Sequence, residues 1–129
     1  MNSAVRTLLS VSRYRTHTDV PTEHGSPTST TTLCKIIEGI MEKEPEYGVY
    51  HSTNEGFTTW CRFTRKIFEL ANISTNVKAI TSKEYKEMYP QSSDRPSNSQ
   101  LSKEKLKNVG IIPEAWEIAL EEYLKEELK

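Results

Sequence analysis

The sequence lacks most of the features that would announce an activity. Only two of its 129 residues are cysteine, Cys34 and Cys61, far apart and with no CxxC pair. Neither a disulfide framework nor a zinc site is therefore indicated, and both thiols are expected to be small buried apolar groups. The five glycines, at 25, 39, 48, 56 and 110, form no glycine-rich turn of the kind that lets a backbone approach a pyrophosphate. No tyrosine has a lysine four residues later, so the pair in which lysine lowers a proton-donating tyrosine's pKa is missing. There is no GxSxG and no HExxH, and His17, His24 and His51 have no ligand-like spacing with the carboxylates. No catalytic, cofactor-binding or metal-binding residue is assigned on these grounds.

Charge and hydropathy remove further classes. With 17 basic against 18 acidic side chains there is no basic excess, and no nucleic-acid partner is expected. No run approaches the ~20 apolar residues that span a bilayer, and no secretory signal opens the chain. The expectation is a soluble cytoplasmic protein of one domain, with no membrane partner.

Composition breaks near residue 33. Before it Ser and Thr abound, the basic residues are Arg6, Arg13 and Arg15, and there is no lysine; every lysine follows. An Arg- and Ser-rich, acid-poor start is one description of a mitochondrial transit peptide. The preferred reading is a non-native or poorly packed leader, residues 1–24, in front of a domain fragment at 25–129. Leu8, Leu9 and Val11 supply one short amphipathic turn, and Thr16 to Pro21, with no apolar period, is expected to be loop.

Past this point periodicity is clear. Leu33, Ile36, Ile37, Ile40 and Met41 lie on one face of a helix that Pro45 stops. Gly48 to His51 reads as a short strand. Trp60, Phe63, Ile67, Leu70 and Ala71 mark a second helix, the strongest core element. Val77 to Ile80 reads as a strand, followed by a capped turn at Ser82 with Glu84 and Glu87 that ends before Pro90. Ser102 is expected to cap a short helix closed by Gly110, and Pro113 to open the last helix, whose buried stripe is Trp116, Ala119, Leu120, Tyr123 and Leu124. The fold class is α/β, mainly helices with a few short strands.

Two segments are richer in chemistry than ordinary loops. Tyr50 to Trp60 joins strand to helix through short polar residues and a glycine, a junction able to present side chains and amides to an anion. Asp94 to Ser102 sets Arg95 beside a rigid proline among hydrogen-bonding neighbours, a plausible grip on a phosphate. The plainer readings are a capped helix start and a surface loop.

Gly25-Ser-Pro-Thr28, Tyr47-Gly-Val-Tyr-His-Ser-Thr-Asn-Glu-Gly-Phe-Thr-Thr-Trp60, Arg95-Pro-Ser-Asn-Ser-Gln-Leu-Ser102 and the Trp116 helix ending Tyr123-Leu-Lys-Glu-Glu-Leu128 together resemble the dTDP-4-dehydrorhamnose reductases. The likeness is to their C-terminal, RmlD-like substrate-binding portion, from about Gly25 onward. It implies the small substrate-binding lobe of an extended short-chain dehydrogenase/reductase, whose Rossmann lobe binds NADPH or NADH and carries the catalytic Thr, Tyr and Lys. That lobe is absent from these residues, so the implied partners are a dTDP-sugar and a missing or separate Rossmann lobe.

By the same resemblance Arg95, Asn98 and Ser99 face the nucleotide-sugar, with Arg95 on the diphosphate. Asn54, Glu55 and Gly56 form the turn supporting the pocket, Trp60 belongs to the core, and Gly25 to Thr28 crosses between the lobes. Two departures stand out: Ser29 follows Pro-Thr where the family has an aromatic residue, and Thr16 to His24 does not read as the family's strand. A truncated or frame-shifted reading frame, or an artificial boundary, would explain the leader. The implied function is the nucleotide-sugar-binding part of such a reductase, inactive alone. The alternatives are a stand-alone nucleotide-sugar-binding module or subunit docking on a separate Rossmann chain, and a helical scaffold that has lost its ligand. Without its lobe the chain would expose apolar helix faces, and self-association is expected.

Overall fold

The computed structural model describes residues 1–11, 16–19 and 23–129, with only the backbone described at Val11 and across 16–19. Among the described residues six helices run in chain order with four short strands: α1 (Asn2–Val11), β1 (Thr16–Asp19), β2 (His24–Gly25), α2 (Thr30–Lys43), β3 (Thr58–Thr59), α3 (Trp60–Leu70), β4 (Asn76–Ala79), α4 (Ser82–Met88), α5 (Glu104–Asn108) and α6 (Trp116–Glu127). β1 pairs in parallel with β4, Thr16 opposite Asn76 and Asp19 opposite Ala79. β2 pairs antiparallel with β3, His24 opposite Thr59.

Around α3 lies the main core. Cys61, Phe63, Ile67 and Phe68 pack with Val5 and Leu8 of α1, Val77 of β4, and Trp116, Leu120 and Leu124 of α6. Phe63 meets the Trp116 ring edge-on at 5.8 Å between centroids. A second, smaller cluster joins Ile36 of α2 to Leu106 of α5 and Ile111. There α5 ends in a Schellman motif: Gly110, at φ 80°, donates to the Lys107 carbonyl, and Ile111 donates to that of Leu106. Glycine is needed at that left-handed position, and the Leu106–Ile111 contact completes the motif.

Several expectations change. The leader is not loosely packed over residues 2–11: they form α1, because Val5 and Leu8 share one face and that face is buried. Arg6 then ties α1 to the far end of α6, its Nε 3.0 Å from a Glu127 oxygen and 3.1 Å from Tyr123 Oη. The hydrogen bonds from Arg6 hold the Glu127 carboxyl below its usual range. Thr16–Asp19 is a strand rather than loop; its polar residues carry no apolar period, and the pairing is made by backbone. Residues 20–21 of that expected loop, and Arg13 and Arg15 of the leader, lie outside the described residues.

Gly48 to His51 is not a strand, since it has no ladder in the described structure, and Tyr47 and Val49 stand exposed. Cys34 is exposed, whereas Cys61 is buried. The caps also shift by one residue. Thr81, not Ser82, caps α4 in a reciprocal box with Glu84, and Lys103 occupies the N-cap of α5, though Ser102 Oγ still accepts from the Glu104 amide at 3.3 Å.

Candidate functional site

β2 is the seam on which the site is assembled. On one side it pairs with β3; on the other, its His24 amide donates to the Ser97 carbonyl at 2.8 Å, and the Ser99 amide and hydroxyl donate to the His24 carbonyl at 2.9 and 3.0 Å. The loop carrying Arg95, Asn98 and Ser99 is thereby laid against the entry to α3. Gly25 permits this approach, because a Cβ there would meet Ser99 Oγ at 3.0 Å.

These segments enclose a cavity of about 510 Å³ whose walls include Gly25 to Thr28, Thr58 to Trp60, Phe63, Arg95, Pro96 and Ser99. Its size is that of a small-molecule pocket, and its lining is apolar with a few convergent polar groups. Arg95 is exposed on the rim and makes no ion pair or hydrogen bond among the described residues. Trp60 also borders the cavity and is 38% exposed, edge-on to Phe63. The expectation that it belongs to the core is corrected: as the first residue of α3 it sits where the helix meets the opening, although its spacing matches the buried stripe.

Of the six residues singled out in the sequence, Arg95 and Ser99 border this cavity, and Asn98 and Glu55 line a neighbouring depression. Asn54 and Gly56 lie one layer behind. Asn54 is fully buried: its Oδ1 accepts from the Ser29 amide at 2.8 Å, while Nδ2 donates to Thr32 Oγ1 at 2.9 Å and to the Glu114 carbonyl at 3.0 Å. It thus fastens the start of α2 to the approach of α6. Gly56, at φ 85°, lies so close to Trp116 that a Cβ would come within 3.2 Å of its ring, and its carbonyl accepts from Ser26 Oγ in the cavity wall at 2.8 Å. Ser26, Pro27, Thr58 and Thr59 of the wall lie in the quoted motifs without having been assigned to the site, and Met1, Ala4 and Glu23, which also border the cavity, carried no sequence signal.

Glu55 links the same turn to α5. Its carboxylate pairs with Lys107 and lies 3.9 Å from the Lys103 ammonium. The Lys107 hydrogen bond holds Glu55 below the usual carboxylate range. Lys103 is shifted down as well, because burial outweighs the attraction of Glu55. Chemically the arrangement can bind and orient an anionic ligand at Arg95.

A model of the RmlD substrate binding domain matches residues 1–129. The chain is 35% identical over 102 residues to the spore coat polysaccharide biosynthesis protein SpsK of Bacillus subtilis, covering 79% of this chain and 34% of that protein. Among solved structures, the dTDP-4-dehydrorhamnose reductase of Clostridium acetobutylicum superposes with a TM-score of 0.88 at 27% identity, covering 97% of this chain and 44% of the other. The Bacillus anthracis reductase, solved in complex with NADP, superposes at 0.83 and 28% identity, covering 95% and 42%. A Yersinia enterocolitica reductase shares the fold at 0.75 and 18% identity. The chain spans less than half the length of each of these relatives, and the match fits a C-terminal portion of them.

Proposed function

The chain belongs to the RmlD substrate-binding domain family, and from that membership and the cavity at Arg95 we propose that it is the nucleotide-sugar-binding part of a dTDP-4-dehydrorhamnose reductase. The reaction served is the NAD(P)H-dependent reduction of dTDP-4-dehydro-L-rhamnose to dTDP-L-rhamnose. The observation carrying this reading is an arginine without a counter-ion among the described residues, on the rim of a cavity of about 510 Å³. A guanidinium in that position meets a diphosphate with charge-assisted hydrogen bonds, worth roughly 1.5–3 kcal/mol once the ligand shields it from water. Ser99 borders the same cavity and Asn98 the depression beside it, which Glu55 also lines, while Asn54 and Gly56 hold the wall behind.

The junction between β2 and α2 does not fit the pyrophosphate of a dinucleotide. At the junction between β2 and α2, where such a pyrophosphate would need successive glycine amides, stand Ser26, Pro27 and Thr28; Pro27 has no N–H, and the Ser29 hydroxyl already takes the Thr32 amide at 3.0 Å. Hydride transfer is therefore assigned to a lobe outside these 129 residues, in the same polypeptide or a separate one. These residues bind and orient the nucleotide-sugar. The outward face of α2, with Leu33, Ile37 and Met41 exposed, together with the unpaired Tyr47 to Val49, is where we place that lobe. The chain alone is expected to reduce nothing.

Isothermal titration with dTDP tests the reading. Micromolar binding that falls ten-fold or more in Arg95→Ala, about 1.4 kcal/mol, supports it. Binding that is indifferent to Arg95 would overturn the assignment of the diphosphate.

A further inference from the structure

Lys103 is a buried charge with no part in the grip on the ligand just described. Its side chain is 2% exposed, and it stands at the N-cap of α5 without a side-chain capping bond, where Ser, Thr, Asp or Asn would be usual. A lysine so deeply buried must have its ammonium satisfied by specific partners. Here Nζ donates to Thr53 Oγ1 at 3.2 Å and to the Leu101 carbonyl at 3.5 Å, lies 3.9 Å from Glu55 Oε1, and sits 5.0 Å from the centre of the Phe57 ring.

Every one of those partners belongs to one of two segments. Thr53, Glu55 and Phe57 come from the turn that leads into α3; Leu101 comes from the loop of Asn98 and Ser99. That loop is exposed along its whole length from Ser93 to Ser102. Toward its start it is held by the backbone bonds of Ser97 and Ser99 to His24; at its end Lys103 is the tether. Within it, Asn98 Oδ1 accepts from the Gln100 amide at 2.9 Å, so the stretch from Asn98 to Leu101 is a turn held at both ends.

We infer that Lys103 is a positioning residue for the proposed nucleotide-sugar site: its buried ammonium fastens the loop of Asn98 and Ser99 to the turn of Glu55 and Gly56, and does so through charge as well as packing. The inference rests on the nucleotide-sugar reading only for its consequence on binding; the tether itself is a property of the chain. Two charged groups face Lys103, Glu55 from the turn and Lys107 from α5. Glu55 attracts it and Lys107 opposes it. Because burial favours the neutral amine, raising the pH releases the tether before the exposed lysines titrate.

The test follows the loop and the ligand separately in the 129-residue chain. Carbon-detected NMR from pH 7 to 10.5 should show the carbonyls of Asn98 and Leu101 shifting together, with an inflection below that of the exposed lysines. In Lys103→Met, which keeps most of the length of the side chain and drops its charge, that inflection should vanish while cooperative melting is retained. At pH 7 the variant should bind dTDP about five-fold more weakly, and the wild-type affinity should fall toward that of the variant as the pH rises. Loop carbonyls that do not titrate, or that titrate equally in Lys103→Met, overturn the tether. A dTDP affinity unchanged in Lys103→Met while Arg95→Ala loses it overturns the positioning role. If the wild-type chain binds no dTDP, the nucleotide-sugar reading fails and the carbonyl titration alone decides for or against Lys103. Should Lys103→Met not fold, direct titration of the Lys103 side chain in the wild type decides: an ordinary lysine value overturns the inference.

Discussion

α3 and α2 carry the same kind of apolar stripe and meet opposite fates. In α3, Phe63, Ile67 and Phe68 are buried, covered by α1 on one side and α6 on the other. In α2 only Ile36 of the stripe is fully covered; Ile37 is 50% and Met41 72% exposed. The periodicity of a sequence says which face of a helix is apolar, but not what lies against it. α3 has its cover within these residues, and α2 has half of its cover. That difference supports the proposal that a reductase lobe rests against α2.

The sharpest way to break the comparison is to cut into both helices. Phe63→Ala should destabilise the chain by about 3–5 kcal/mol in guanidinium unfolding, the cost of a cavity among Trp116, Ile67 and Val5, a large share of what a domain of this size has. If it cost no more than a surface substitution, the core would not be centred on α3.

Next in size, Asn54→Ala should cost roughly 2–3 kcal/mol, since it leaves the buried Ser29 amide without its acceptor and takes one of its two donors from the Glu114 carbonyl, which keeps the Glu55 amide. Asn54 belongs to neither apolar stripe, so an equal loss by Phe63→Ala and Asn54→Ala would show that the polar knot between α2 and α6 matters as much as the core. A loss near zero would mean that water replaces it.

The smallest change in stability is expected on the open face. Ile37→Lys together with Met41→Lys should move the unfolding free energy by only about 0.5 kcal/mol per site, yet abolish the concentration-dependent self-association expected of the wild type in sedimentation velocity. A wild-type chain that stays monomeric at every concentration, with a cooperative melt above ~60 °C, would show that the α2 face needs no cover.

Most of the helices could be read from residue order because their signals are local. The α3 stripe, the α6 stripe of Trp116, Ala119, Leu120 and Leu124, and the glycine at the end of α5 each declare themselves within a dozen residues. The misread parts depend on distant partners. Thr16–Asp19 is a strand because β4, some sixty residues away, offers it a parallel edge; its own residues are polar. Gly48 to His51 has the composition of a strand and, among the described residues, no neighbour to pair with. Residues 2–11 looked like a leader by composition, and become part of the core once α3 and α6 give Val5 and Leu8 a surface to cover.

The candidate site divides along the same line. Residue order alone determined that the chain has no glycine-rich cradle and no tyrosine–lysine pair, that Arg95 sits in a proline-stiffened loop, and that its motifs resemble one family, because composition, local stiffness and motif spacing are properties of the covalent chain. Only the tertiary structure decided that Trp60 opens onto the cavity, that Asn54 is a buried knot behind the wall, and that Lys103 joins the two motif-bearing segments. Burial and the pairing of charges depend on which residues fold against one another, and here those partners lie from 22 to 60 positions apart.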